Sequence, residues 1–124
     1  MPTPRERRLW ELYRLTEADW NKILEFQGGV CPITGRLPGR VAFNTDHDHE
    51  TGLIRGLLSP WANKGLAYFD DSPEQLRRAA DYLERPPAVA ALGREVYGLV
   101  GKARRKKKMT YGVPPATIVV PGAS

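Results

Sequence analysis

The chain is poor in the residue types that most often carry chemistry: it has one cysteine, Cys31, and two histidines in 124 residues. A single cysteine excludes an internal disulfide and makes a reducing compartment the expected home. No stretch approaches the roughly 18 uninterrupted apolar residues of a membrane span. The opening MPTPRERRLWELY also lacks the apolar run of a secretion signal. A soluble, cytoplasmic protein with no membrane contact is therefore expected. Internal repeats are missing too. What is present is a hydrophobic fraction of 41% with three tryptophans, enough for a modest core. The length suits one domain with a tail, since compact domains run to about 100–150 residues.

Charge is unevenly spread. The net charge is +5, and the run KARRKKK at 102–108 holds six of the 19 basic residues and no acid. Outside that run, 13 basic residues face 14 acidic ones. The body is thus nearly neutral. The tail has a bland reading, a solvated charge run. Its sharper reading is a phosphate-binding arm of Lys102, Arg104, Arg105, Lys106, Lys107 and Lys108, salt-sensitive and blind to sequence.

Residues 5–14 place Leu9, Trp10, Leu12 and Tyr13 on one helical stripe. Thr16 and Asp19 form a capping-box signature for a second helix carrying Trp20, Ile23, Leu24 and Gln27, which stops at Gly28-Gly29. Two prolines and two glycines within residues 31–39 dictate a loop. Val41–Phe43 and Leu53–Leu58 read as the strands of an antiparallel hairpin with an irregular connection. Ser59-Pro60 then reads as a helix entry, with Ser as N-cap and Pro at the first helical position. Trp61, Ala62, Asn63, Gly65, Leu66 and Phe69 follow on that helix. Asp71-Ser72-Pro73-Glu74 opens another helix with Leu76, Ala79, Ala80 and Leu83 as its stripe. Residues 88–101 are weakly helical, and Thr117–Val120 is β-prone. The fold expected is α+β and mostly helical, with a β-β-α centre flanked by N- and C-terminal helices. The domain division expected is 1–86 and 87–124.

Both histidines fall in one cluster, TDHDHETG, at 45–52. Asp46 and Asn63 offer hard oxygen ligands suited to Mg²⁺ or a similar ion that keeps several waters. The imidazole of His47 can take a proton from water near neutral pH. A sparsely ligated ion leaves room for a phosphate oxygen, so these parts can hydrolyse a phosphodiester. Arg55 and the basic tail would hold the backbone. Geometry sets a condition: in a regular strand Asp46 and His47 point to opposite faces. The strand must therefore end near Asp46, with a loop carrying 47–52. Three duller readings compete: a plain surface loop, a zinc site of His47, His49 and Cys31, and an Asn63 that only bonds locally.

The stretch CPITG at 31–35 with TDHDHETGLIRGLLSPWANKG at 45–65 closely resembles the phage recombination endonuclease VII family, one of the HNH (ββα-metal, His-Me finger) nucleases. The resemblance is dense over 46–58 and at Asn63, and spans about residues 15–85. It implies a ββα-metal core, Asp46 and Asn63 as metal ligands and His47 as the general base. It makes His49 a second catalytic-site histidine that holds the phosphate, and places Arg55 and Lys64 on the DNA. It further implies Mg²⁺ (or Mn²⁺), branched DNA such as four-way junctions as substrate, an intertwined homodimer, and the host cytoplasm as location if the source is a phage. The alternatives are a nicking nuclease with little structure preference and a DNA-binding module without catalysis.

One departure is informative. Four cysteines normally clamp a structural zinc in this family, and the corresponding positions here are Cys31, Thr34, Ser59 and Ala62. One thiolate does not make a zinc site, so no structural zinc is expected. Such an ion contributes on the order of 10 kcal/mol in small folds. The expected replacements are a Ser59 cap on the helix and Trp61, Ile33 and Val30 filling the vacated volume.

Overall fold

A computed structural model of the chain describes residues 1–101; the basic run and the 117–120 segment lie outside the described residues. The described residues form α1 (Pro4–Tyr13), α2 (Glu17–Phe26), β1 (Asn44–His47), β2 (Ile54–Leu58), α3 (Pro60–Tyr68), α4 (Pro73–Glu84) and α5 (Pro87–Leu92). The class is α+β, mostly helical, with one two-stranded antiparallel sheet. Two compact units divide between Ser72 and Pro73.

Local chemistry starts the helices of the first unit. Thr3 and Glu6 form a capping box on α1, with the Glu6 N–H donating to the Thr3 hydroxyl at 3.1 Å and Pro4 at the first helical position. Thr16 and Asp19 do the same for α2. On α3, the Ser59 hydroxyl accepts the Ala62 N–H at 3.2 Å. The core of this unit is small: Leu9, Trp20, Cys31, Phe43, Leu57, Leu58 and Ala62, with Tyr13, Leu15, Ile23, Leu24 and Leu66 packed around it.

The first strand starts three residues later than the apolar pattern suggests. Val41 and Ala42 are exposed and precede the strand, Phe43 is buried just before it, and the paired residues are the polar Asn44-Thr45-Asp46-His47. Pairing here follows the partner strand, not the hydrophobic run. Asn44 faces Leu58, Thr45 faces Leu57 and Asp46 faces Gly56. Trp20 Nε1–H reaches the Thr45 hydroxyl at 3.3 Å and ties α2 to β1.

Gln27, at the end of α2, closes the other edge of β2. Its amide nitrogen donates to the Leu57 carbonyl at 2.9 Å and to the Val30 carbonyl at 3.1 Å. Its amide oxygen accepts the Leu57 N–H at 2.9 Å. A side chain thus stands in for a third strand, satisfying backbone groups that would otherwise be buried without partners. The contact is close: a Cβ at Gly56 would lie 3.0 Å from Gln27 Oε1. A side chain at position 56 would therefore press on the Gln27 amide.

In the second unit, α4 shows the amphipathic spacing anticipated for it, and an exposed Glu74–Arg78 pair at 2.8 Å braces its first turns. Helix α5 ends on Gly93 in the left-handed region, at φ 68°.

Candidate functional site

The hairpin carries the polar cluster at its turn end. Asp46 pairs with Gly56, but His47 pairs with Ile54, so Arg55 has no cross-strand partner. A bulge of this kind breaks strict alternation and re-aims neighbouring side chains. The condition read from the sequence is a strand that ends near Asp46 with a loop carrying 47–52; in the structure His47 is still paired within β1, the loop begins at Asp48, and the extra residue of the bulge, Arg55, lies on β2.

The turn that follows uses its second aspartate for structure. Asp48 Oδ1 accepts the N–H groups of Glu50 at 2.8 Å and Thr51 at 2.9 Å. Those two donors, Thr51 first, hold the Asp48 carboxyl below the usual carboxylate range. The Gly52 N–H returns to the Asp48 carbonyl at 2.8 Å, with Gly52 at φ 77°. Fixing this turn sets His49 against His47: their ring centroids are 4.9 Å apart in an edge-on arrangement. His49 is exposed and His47 half-buried.

Asp46 is the one charged side chain buried among the described residues, at 7% exposure. Its neutraliser is Arg55, bound in bidentate fashion with Nε to Oδ2 at 2.8 Å and Nη2 to Oδ1 at 2.9 Å. Asp46, with help from Asp71 at 3.3 Å, raises the guanidinium pKa further. Asn63 lies in the first turns of α3, which packs on both strands. It is half-buried, its backbone N–H goes to the Ser59 carbonyl, and its carboxamide makes no hydrogen bond among the described residues. Lys64 is exposed on the same helix.

The structure therefore joins His47 to His49 and Asp46 to Arg55, and sets Asn63 on the helix that packs on the two strands. It also adds a residue the sequence does not single out for the site. The Tyr13 ring lies 5.8 Å from that of His47. Its helical spacing marks it only as part of an apolar stripe, and no local signal links it to a residue 34 positions on. A cavity of about 440 Å³ lies beside the turn, lined by Asp48, His49, Glu50, Ala67, Asp70 and Asp71.

The residues present suit a hard divalent cation in a limited sense. Among the described residues no three His, Cys, Asp or Glu side chains gather closely enough to hold an ion. A cation here would take Asp46 and Asn63 oxygens and draw its other ligands from water and substrate, as Mg²⁺ does. That the buried Asp46 carboxylate already faces a positive group fits this polarity.

Around Cys31 the expectation needs correction. Trp61 is 83% exposed and Ile33 56% exposed, so neither fills the space near the sulfur; Val30 is half-buried. The phase of α3 explains this. Ala62 and Leu66, one turn apart, face the core, and Trp61 is thereby turned outward. Hydrogen bonds surround the fully buried thiol instead. Burial alone would raise its pKa, but the Thr34 hydroxyl and the N–H groups of Ser59, Thr34 and Ile33 outweigh it and hold the group down at about 6, against 9.0 normally. A thiol ionising lower when folded binds fewer protons than the unfolded chain between those values. Its contribution to stability is full above about pH 9 and lost as the pH falls through about 6. We expect the urea midpoint to rise from pH 6 to pH 9 and the rise to flatten in Cys31→Ser, whose hydroxyl does not ionise there. Parallel profiles for the two proteins would contradict this.

A two-stranded hairpin whose first strand ends in Asp-His, backed by a helix that bears Asn63, defines a small β-β-α unit with acidic and imidazole groups at the turn end of the hairpin. The sequence profile of recombination endonuclease VII matches residues 6–85, and the chain belongs to that family. It is 44% identical over 93 residues to the Gene 59 protein of Mycobacterium phage D29, which covers 73% of this chain and 56% of that protein. To the Gene 59 protein of Mycobacterium phage L5 it is 41% identical over 93 residues, covering 73% and 57%. The chain thus spans somewhat more than half the length of these curated relatives. No solved structure matches it. Among the described residues no helix is long and apolar enough to cross a membrane.

Proposed function

We propose that the chain is a metal-dependent, HNH-type (His-Me finger) DNA endonuclease that hydrolyses phosphodiester bonds in branched DNA, in the manner of a Holliday-junction resolvase. The observation supporting this most is that α3, which bears Asn63, packs on the strand that carries Asp46 and His47, inside a region that matches the recombination endonuclease VII family. Asp46 and Asn63 would hold Mg²⁺ or Mn²⁺; once bound, such an ion stabilises charge developing on the phosphate and leaving oxygens. His47 takes the proton from the attacking water, and Tyr13 and His49 restrict its ring on two sides. His49, exposed at the turn, donates to a phosphate oxygen. Lys64 and the basic run at 102–108 hold the DNA backbone, and Arg55 joins them when the cation takes its place at Asp46. A homodimer acting in the cytoplasm would present two such sites to the two strands of a junction. With one cysteine left at the zinc positions no structural zinc would be bound, and the Ser59 cap and the hydrogen bonds about Cys31 would supply part of the stability such an ion gives.

A synthetic four-way junction and a linear duplex of the same sequence, each with Mg²⁺ or with EDTA, test this reading. Mg²⁺-dependent cutting of the junction at the branch, well above that of the duplex, is the expected result. Equal nicking of both substrates would replace the junction specificity, and binding without cutting would remove the enzyme. The tail has its own test. Neutralising Lys106, Lys107 and Lys108 should weaken binding to all sequences about equally and reduce the log–log salt slope by roughly 0.9 for each phosphate no longer neutralised. An unchanged slope would place the tail away from DNA.

A further inference from the structure

The oxygens proposed to receive a metal are already facing a cation, and the backbone has been deformed to put it there. Arg55 is the unpaired residue of the bulge, and its guanidinium lies across both Asp46 oxygens. The same group has a second acceptor: Nη2 is 3.3 Å from Asp71 Oδ2. Asp71 is delivered by a tight turn after α3, in which Asp70 and Asp71 both adopt left-handed backbone, at φ 54° and 53°. The Asp71 N–H donates to the Leu66 carbonyl at 2.8 Å, which fixes that turn. Arg55 thus sits between two carboxylates, one buried and one partly open.

We propose that Arg55 occupies the cation position at Asp46 in the metal-free protein, and that a divalent ion binds by exchange, leaving the guanidinium on Asp71. The inference rests on the reading of Asp46 as a metal ligand. Its physical basis is simple. A guanidinium spread over both oxygens and a doubly charged ion about 2.1 Å from one of them repel each other strongly. A buried carboxylate left with no cation is equally unfavourable. Arg55 resolves the second problem before the ion arrives, and Asp71 resolves the first afterwards. The metal affinity of the protein is accordingly set by this competition as well as by its ligands.

Titrating Mn²⁺ into the metal-free full chain by calorimetry, without DNA, reads this directly. Arg55→Gln should bind Mn²⁺ about tenfold tighter than the native protein, the size of one charge-assisted contact. Asp71→Asn should bind several-fold more weakly, because the guanidinium then has only Asp46. Asp70→Asn, which removes the same charge without touching Arg55, should weaken binding less than Asp71→Asn does. Asp46→Asn should abolish binding. Equal affinities for the native protein, Arg55→Gln and Asp71→Asn, with Asp46→Asn silent, would overturn the exchange and keep the metal ligand. Binding unaffected by Asp46→Asn would overturn both. Should Arg55→Gln not fold, Asp71→Asn against Asp70→Asn decides alone: a larger loss in Asp71→Asn supports exchange, and an equal or smaller loss refutes it.

Discussion

Replacing His47 by alanine should slow DNA cleavage at neutral pH by about 10²- to 10⁴-fold, the usual contribution of a positioned general base. The folded state and DNA affinity should change little, because His47 is half-buried at a strand end and touches the body mainly through ring contacts with Tyr13 and His49. Asn63→Ala should cause a comparable loss through the cation, with no cost in protein hydrogen bonds, since its carboxamide makes none among the described residues. Asp46→Ala is a harsher change. It removes a ligand and also strips Arg55 of its bidentate partner, so lower stability should accompany the lost cutting. Gel assays on a labelled junction, alongside binding and thermal melts, separate these effects. A His47→Ala protein that cuts at the native rate would eliminate it as the base.

The largest effect on folding is expected at Gln27. Gln27→Ala would leave both backbone groups of the fully buried Leu57 without their present partners. Each unsatisfied group costs about 1–3 kcal/mol, so a loss of roughly 2–4 kcal/mol is expected. In a domain of this size that lowers the melting temperature by on the order of 10 °C or more. Gln27→Glu should be no remedy, because a carboxylate accepts from the Leu57 N–H but repels the Leu57 and Val30 carbonyls. Unchanged melting of Gln27→Ala would show that water or a neighbour satisfies β2 equally well.

The helices and the cluster are legible because their signals are local. Thr16-x-x-Asp19 and Ser59-Pro60 each satisfy helix N-termini with atoms a few residues away, and both caps form in the fold. The DHDH turn is legible for a similar reason: Asp48 closes it on donors two and three residues away. What escapes is what depends on distant partners. Val41–Phe43 has the better strand composition, yet the strand is Asn44–His47, because Leu57, Gly56 and the Gln27 amide decide which residues pair. Tyr13 reaches His47 only through the packing of α1. Sequence reasoning assigns Arg55 to DNA, and its bond to Asp46 follows from a bulge that no residue pattern announces. Hydrophobicity alone puts Trp61 inside, and the helix phase set by Ala62 and Leu66 turns it out.

Locating one Mn²⁺ ion by the nuclear magnetic resonance signals it erases tests the central claim most directly. With Mn²⁺ added far below stoichiometry to the metal-free protein, the Asn63 side-chain amide and the backbone amides of Asp46 and His47 should broaden first. If broadening begins instead around the acidic turn of Asp70 and Asp71, with Asn63 unaffected, the ion does not sit where hydrolysis requires it.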